Sequence, residues 1–277
     1  MKKLSWYNYR IYNSNTIKYR TQFIKNNINY YLPLSQQEKL LLKTYAKNNN
    51  DTVQALLTLR NIIRIQNEIV NNHKYKQDIP RVQKKFIKGL EKLQDQKDID
   101  NFVENFFETT EIPFNITLKA INQIPIFKKY KLGNAKYIKN LTSINSHYNQ
   151  KVHERSKRFE ISLENYLDYE NIKYKTEQDI IREKLYNLTP DILLEEPILI
   201  TTNDAKKQKV NWIDAKNYTL INIPFIIKNL KKQAQKYNNT FGNGAFVFHY
   251  GFDESVNIPD TIILDGSFLD KYQPDKQ

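Results

Sequence analysis

Two acids and a lysine stand at a spacing that suits phosphate chemistry. Pro190-Asp191 opens one extended stretch, and Asp214-Ala215-Lys216 closes another. Side chains alternate along a strand, so Asp214 and Lys216 face one way and Ala215 the other. If the stretches are neighbouring strands, the carboxylates of Asp191 and Asp214 come together. Paired carboxylates repel each other, and a divalent cation relieves the repulsion. Mg²⁺ suits hard oxygen ligands and keeps several waters; Mn²⁺ is the alternative. Such an ion turns water into a nucleophile at neutral pH. Lys216 would orient that water or stabilise charge on a pentavalent phosphorane. Glu160 lies ahead of both strands, with Glu164 one turn further on as a competing wall carboxylate. The plainer alternative makes Asp191 and Asp214 strand-end charges and Lys216 an ordinary ion-pair partner.

The elements that must position these groups follow from pattern. Val152–Tyr169 has helical spacing, with Phe159, Leu163, Tyr166 and Leu167 on its apolar side. Ile172–Thr176 and Asp191–Glu195 are predicted strands, and Ile198–Thr201 with Val210–Ala215 a hairpin around the polar loop Thr202–Lys209. Pro224–Asn238 returns to helical spacing, Phe241-Gly-Asn-Gly244 is a turn, and Ala245–Tyr250 is a buried strand. The order α-β-β-β-α-β predicts a mixed sheet with helices against it. Trp212 shares the face of Asp214, either as packing or as a base-stacking ring. His249 is expected to be a hydrogen-bonded core residue.

Residues 1–150 read differently. Ser35 and Glu38 have capping-box spacing ahead of an apolar run, and Asp51 is placed to cap a second helix. Further helices are expected at about 80–94, 98–108 and 114–123, punctuated by Pro33, Pro80, Pro113 and Pro125. The pair flanking Pro113 has helix-turn-helix character, with Lys119 on its second helix. The expected organisation is therefore α+β: a basic all-α region over 1–150 and a mixed α/β domain over 151–277.

Charge divides the same way. The chain has 277 residues and a net charge of +13. Its 35 Lys, 33 Asn and 33 Ile point to an AT-rich genome, which discounts that excess. Yet residues 1–150 carry net +14 and residues 151–277 net −1. Codon bias alone would make both halves basic, so the N-terminal half is expected to meet a polyanion, most simply nucleic acid. Lys128, Lys129 and Lys131, with Lys119, are the phosphate-contact candidates. The absence of Cys excludes disulfides, thiolate zinc sites and a Cys nucleophile. No apolar run approaches the ~18 residues of a membrane span, and the N-terminus lacks an apolar signal core. The expected location is intracellular, with no membrane partner.

The flanking residues carry a resemblance. Thr189-Pro190-Asp191-Ile192-Leu193-Leu194, Asn211-Trp212-Ile213-Asp214-Ala215-Lys216, Gln233-x-x-x-Tyr237, Phe241-Gly-x-Gly244 and Tyr250-Gly251-Phe252 occur in the order found in one family. The chain resembles, over about 155–255, the TPD-motif branch of the PD-(D/E)XK, restriction-endonuclease-like nucleases, which includes the codanin-interacting nuclease and archaeal relatives. The resemblance implies a helix-turn-helix region joined to a restriction-endonuclease-like domain that hydrolyses phosphodiester bonds, in DNA first and RNA second. It implies Asp191 and Asp214 as metal ligands, Lys216 as the catalytic lysine and Glu160 as the helical acid contacting the metal. Gln233 and Tyr237, four apart on one helix face, would line the substrate groove or pack. A nuclear or cytoplasmic location follows for a eukaryotic source, a cytoplasmic one for an archaeal or viral source. A non-catalytic adaptor of the same fold, holding a codanin-like protein, is the competing class.

Overall fold

The computed structural model describes residues 1–31, 33–110, 112–125 and 136–273. The chain forms two compact units. One comprises Met1–Ile24, Asn50–Leu59 and Val152–Gln277; the other comprises Lys25–Asn49 and Arg60–Lys151. The expected boundary near 150 thus captures only part of the division, because two N-terminal stretches join the C-terminal unit.

The first unit is built on a mixed sheet of six strands. These are β1 (Lys2–Trp6), β3 (Tyr174–Thr176), β4 (Ile192–Thr202), β5 (Lys207–Lys216), β6 (Gly244–Phe248) and β8 (Thr261–Asp265). The order is β1-β4-β5-β6-β8, with β3 also paired to β4. β4 and β5 are antiparallel, whereas β5, β6 and β8 run parallel. The helix α7 (Lys136–Tyr169) supplies Phe159, Leu163, Tyr166 and Leu167 to a core with Ile213, Ala245, Val247, Ile262 and Leu264. Strand alternation turns Trp212, Asp214 and Lys216 to the opposite face of β5. There α9 (Pro224–Phe241) presents Tyr237, whose ring meets the Trp212 indole edge to face at 5.0 Å. A short helix α8 (Glu177–Glu183) connects β3 to β4.

Three expectations need correction. The stretches Asp191–Glu195 and Ile198–Thr201 are one strand, β4, with a register shift against β5 between Leu193 and Ile198. Pro197, which lacks an N–H for the ladder, lies in that shift. Beyond Ala245–Tyr250, a further buried strand, β8, completes the sheet. The N-terminal region is not all helical: β1 runs parallel to β4, Lys2 opposite Ile198 and Trp6 opposite Thr202. Leu4 and Trp6 alternate inward while Lys3 and Ser5 stay exposed.

β1 and β8 are the outer strands of that order, yet the chain ties them together. Trp6 Nε1 donates to the carbonyl of Asp265 at 2.8 Å, and the Asp265 N–H donates to Asn8 Oδ1 at 2.8 Å. The buried Asp265 carboxylate accepts both the Tyr9 and Arg10 N–H groups at 3.0 Å. The short strand β2 (Ile11–Tyr12) then pairs in parallel with β7 (Phe252–Asp253). Arg20, on α1 (Ser14–Asn27), forms a buried ion pair with Asp51 at 2.8 Å, its guanidinium 4.3 Å from the Tyr12 ring centre. Asp51 therefore serves Arg20, and the next residue caps the following helix: Thr52 Oγ1 accepts the Ala55 N–H at 3.0 Å.

The second unit is helical. α2 (Gln36–Asn48) begins with the expected Ser35–Glu38 capping box. α3 (Val53–Lys74) contributes its later turns. α4 (Ile79–Leu90), α5 (Gln96–Thr109) and α6 (Phe114–Asn122) enclose an apolar cluster containing Phe86, Leu90, Val103, Phe106, Ile116 and Ile121. α6 sits in that cluster: Ile116, Thr117, Ala120 and Ile121 are buried, while Lys119 and Asn122 are exposed. Lys128, Lys129 and Lys131 lie outside the described residues.

Candidate active site

Asp191 ends the loop that enters β4, and Asp214, Ala215 and Lys216 end β5. The antiparallel pairing puts Ile192 opposite Ile213, so both acids arrive at one end of the strand pair. Asp191 Oδ2 accepts the backbone N–H of Ala215 at 2.7 Å. Asp214 is buried, 3% exposed, and its Oδ2 accepts Gln233 Nε2 at 2.8 Å. Its Oδ1 pairs with Lys216 Nζ. That oxygen is buried and, the ion pair aside, accepts no hydrogen bond.

This arrangement loads the acids with proton affinity. Burial, then the adjacent Asp214 charge, pushes Asp191 up to about 8; the Ala215 N–H and Lys216 oppose the shift. Burial also raises Asp214, against the Lys216 ion pair. Glu160, half buried on α7, is raised by burial, by Glu177 and by Asp214, with His153 and Lys216 opposing. Glu164 is raised by burial and by Glu160, Asp168 and Asp179. Glu160, the expected helical acid, is thus the one that feels the strand carboxylate and Lys216, while Glu164 faces the acids beyond it.

Gln233 and Tyr237 sit on the inner side of α9 and join the two strand ends. Gln233 donates to Asp214, and Tyr237, largely buried, donates its hydroxyl to the Thr189 carbonyl at 3.1 Å. They grip the two acid-bearing segments, which is a positioning arrangement. Trp212 is fully buried, and its Nε1 donates to the Gly242 carbonyl at 2.9 Å, so it packs. Gly244 must be glycine for that indole to fit, since a Cβ there would collide with its ring. Gly242 ends α9 at φ +88°, where a side chain is disfavoured.

Other contacts at this end were not expected. Glu177, the first residue of α8, accepts Thr189 Oγ1 at 3.0 Å, and its N–H donates to the Asp191 carbonyl at 3.1 Å. The Thr176-x-x-Asp179 capping box ahead of it was the available signal. His249 is a bonded core residue: its ring nitrogens lie 2.9 Å from Asn217 Oδ1 and 2.8 Å from Asp270 Oδ1, and its ring stacks on Phe159 at 4.2 Å. Lys119 of the helical unit donates to Asn72 at 3.2 Å.

The donor set suits a hard divalent ion. Asp191 and Asp214 offer carboxylate oxygens, the buried Asp214 Oδ1 held only by the Lys216 ammonium, in a place where the Asp214 charge raises the proton affinity of Asp191. Among the described residues no three Asp, Glu or His groups gather closely enough to hold an ion on side chains alone. Mg²⁺, which retains several waters, does not require such a cage.

The family described as a protein of unknown function with the TPD sequence motif matches residues 131–267. An uncharacterized protein of Acanthamoeba polyphaga mimivirus is 49% identical over 267 residues, 96% of each chain. No solved structure matches. No helix among the described residues is long and apolar enough to cross a membrane.

Proposed function

This chain belongs to the TPD sequence-motif family, and from that premise we propose that it is a Mg²⁺-dependent nuclease hydrolysing phosphodiester bonds, in DNA first. In this reading the first unit has a restriction-endonuclease-like core. The observation that carries it is the meeting of Asp191, Asp214 and Lys216 through the Ala215 N–H at the end of β4 and β5. Asp191 and Asp214 would hold the ion, with Glu160 as the third acid near it. Bound there, Mg²⁺ or Mn²⁺ supplies neutralisation of phosphoryl oxygens and a lowered pKa for water. Gln233 keeps Asp214 oriented. Lys216, which pairs with Asp214, would place its ammonium to stabilise negative charge on the phosphate. The basic N-terminal half is the proposed anchor for the substrate.

The deciding experiment incubates the purified protein with labelled single strands, duplexes, flaps and junctions of DNA and RNA, in Mg²⁺, Mn²⁺ or EDTA. Cleavage in either metal that disappears in EDTA and in Asp214→Asn is expected. An inert wild type across all substrates would overturn the enzyme reading. One observation favours the adaptor alternative: the Lys216–Asp214 ion pair already compensates the buried charge without a metal. On that reading a codanin-like protein is the partner, and neither Asp214→Asn nor Lys216→Ala affects its binding while the fold survives.

A further inference from the structure

The outer side of α9 carries cations in a stretch of chain that has no acids. Between Asp214 and Asp253 there is no Asp or Glu, while Lys216, Lys228, Lys231, Lys232 and Lys236 all fall there. Residues 151–277 as a whole are slightly acidic, although drift toward AT-rich codons would act on all of them alike. The segregation is therefore local.

The fold converts it into a surface. The apolar positions Ile226, Leu230, Ala234 and Tyr237 are buried, and Lys228, Lys231, Lys232 and Lys236 are exposed. Lys228, Lys231 and Lys232 line an open groove of about 510 Å³ with Asn222, Pro224 and Gln235. These lysines take no part in the ion pairs found among the described residues. Lys228, Lys232 and Lys236 recur every four residues, spreading charge over about 12 Å of helix. A free phosphate draws cations to one point; charges spread along a rail match a chain of phosphates. Gln233, on the same helix, holds Asp214.

We propose that the groove on α9 lined by Lys228, Lys231 and Lys232 is a phosphodiester-backbone site, through which the catalytic unit itself grips the substrate strand. This rests on the nuclease reading and adds to it a second anchor, separate from the basic N-terminal half. The contacts are to phosphates, so the site is indifferent to base sequence and weakens with salt.

The test is binding without turnover. A fluorescein-labelled oligonucleotide is titrated with the full-length protein in EDTA, by anisotropy, across a NaCl series. The variants are wild type, Lys228→Gln/Lys231→Gln/Lys232→Gln, and a charge-matched control in the same unit, Lys173→Gln/Lys184→Gln/Lys271→Gln. Circular dichroism verifies that each is folded. The groove variant should bind at least about tenfold more weakly, with a salt slope reduced by roughly 2–3, near 0.7–0.9 per lost phosphate contact. The control should stay within about threefold of wild type. In cleavage assays the groove variant should raise KM with kcat retained. A groove variant indistinguishable from the control overturns this inference and leaves the nuclease reading standing. A wild type that binds no oligonucleotide at low salt, or binds poly-glutamate instead, overturns both.

Discussion

Asp191 is bonded to the strand beside it: its Oδ2 accepts the N–H of Ala215 at 2.7 Å, so the first carboxylate is held against the residue that separates Asp214 from Lys216. The strand's own backbone sets the distance between the two acids. Gln233 fixes the second acid from the helix side. The carboxylates are thus positioned by protein groups alone; burial raises the proton affinity of both, and the Asp214 charge adds to the shift at Asp191.

Replacing Asp214 with Asn keeps its size and its bond from Gln233 but removes the charge a cation needs. Cleavage should be abolished, with oligonucleotide binding retained or tightened. Lys216→Ala should lower kcat by about 10²–10³-fold, the range for losing one donor to a developing anion. On the proposed reading its Mg²⁺ affinity should not weaken, because the lysine pairs with the Asp214 carboxylate that the ion would use. Single-turnover rates measured over a Mg²⁺ titration separate the two effects.

Asp191 makes stability depend on pH in an unusual direction. Its folded pKa, about 8, lies above the ordinary carboxylate value, so the native state holds a proton that the unfolded chain has released. Stability from this group is complete below the unfolded pKa and is lost as pH rises through the folded one. In EDTA, unfolding free energy should therefore fall between about pH 4 and 8, by no more than about 1.4 kcal/mol per unit from one proton. Mg²⁺ should restore stability at the alkaline end, and Asp191→Asn should flatten the slope. Denaturant titrations of both proteins at several pH values measure it; an equal slope in the two would remove Asp191 as its source.

Gln233→Ala leaves Asp214 Oδ2 without its donor while keeping both acids. Loss of such an orienting bond is expected to lower kcat or metal affinity by about 10–100-fold with little change in KM. Tyr237→Phe removes the bond to Thr189 and the one the hydroxyl accepts from Gln233 Nε2 at 3.3 Å, each worth about 0.5–1.5 kcal/mol of stability. If Gln233→Ala instead raised KM alone, a substrate-lining role would replace the positioning one.

Trp6 belongs to the same unit as Asp191 and Asp214 despite its distance in sequence. It is 1% exposed, and its indole donates to Asp265. Trp6→Ala should cost about 3–5 kcal/mol, and a fragment starting at residue 151 should not fold alone. A cooperative thermal transition in that fragment would contradict the division of units.

Much of the site could be read from local pattern. Asp191, Asp214 and Lys216 fall at strand ends because period-two alternation and the flanking turn residues are written within a few positions of each. The Ser35–Glu38 capping box and the helices near 80–90, 96–109 and 114–122 are local signals too, since a helix closes its bonds within four residues. Pairing between distant segments leaves no such mark. β1 is five residues long, and its partner lies nearly two hundred positions away, so only the assembled sheet could place it beside β4. For the same reason Gln233 and Tyr237 show their four-residue spacing in the sequence, but that they clasp Asp214 and Thr189 depends on α9 packing against β5. Residue type and spacing determined which groups could do chemistry. Tertiary structure decided which carboxylates share an environment, because burial and charge proximity arise only when the strands and helices that carry them meet.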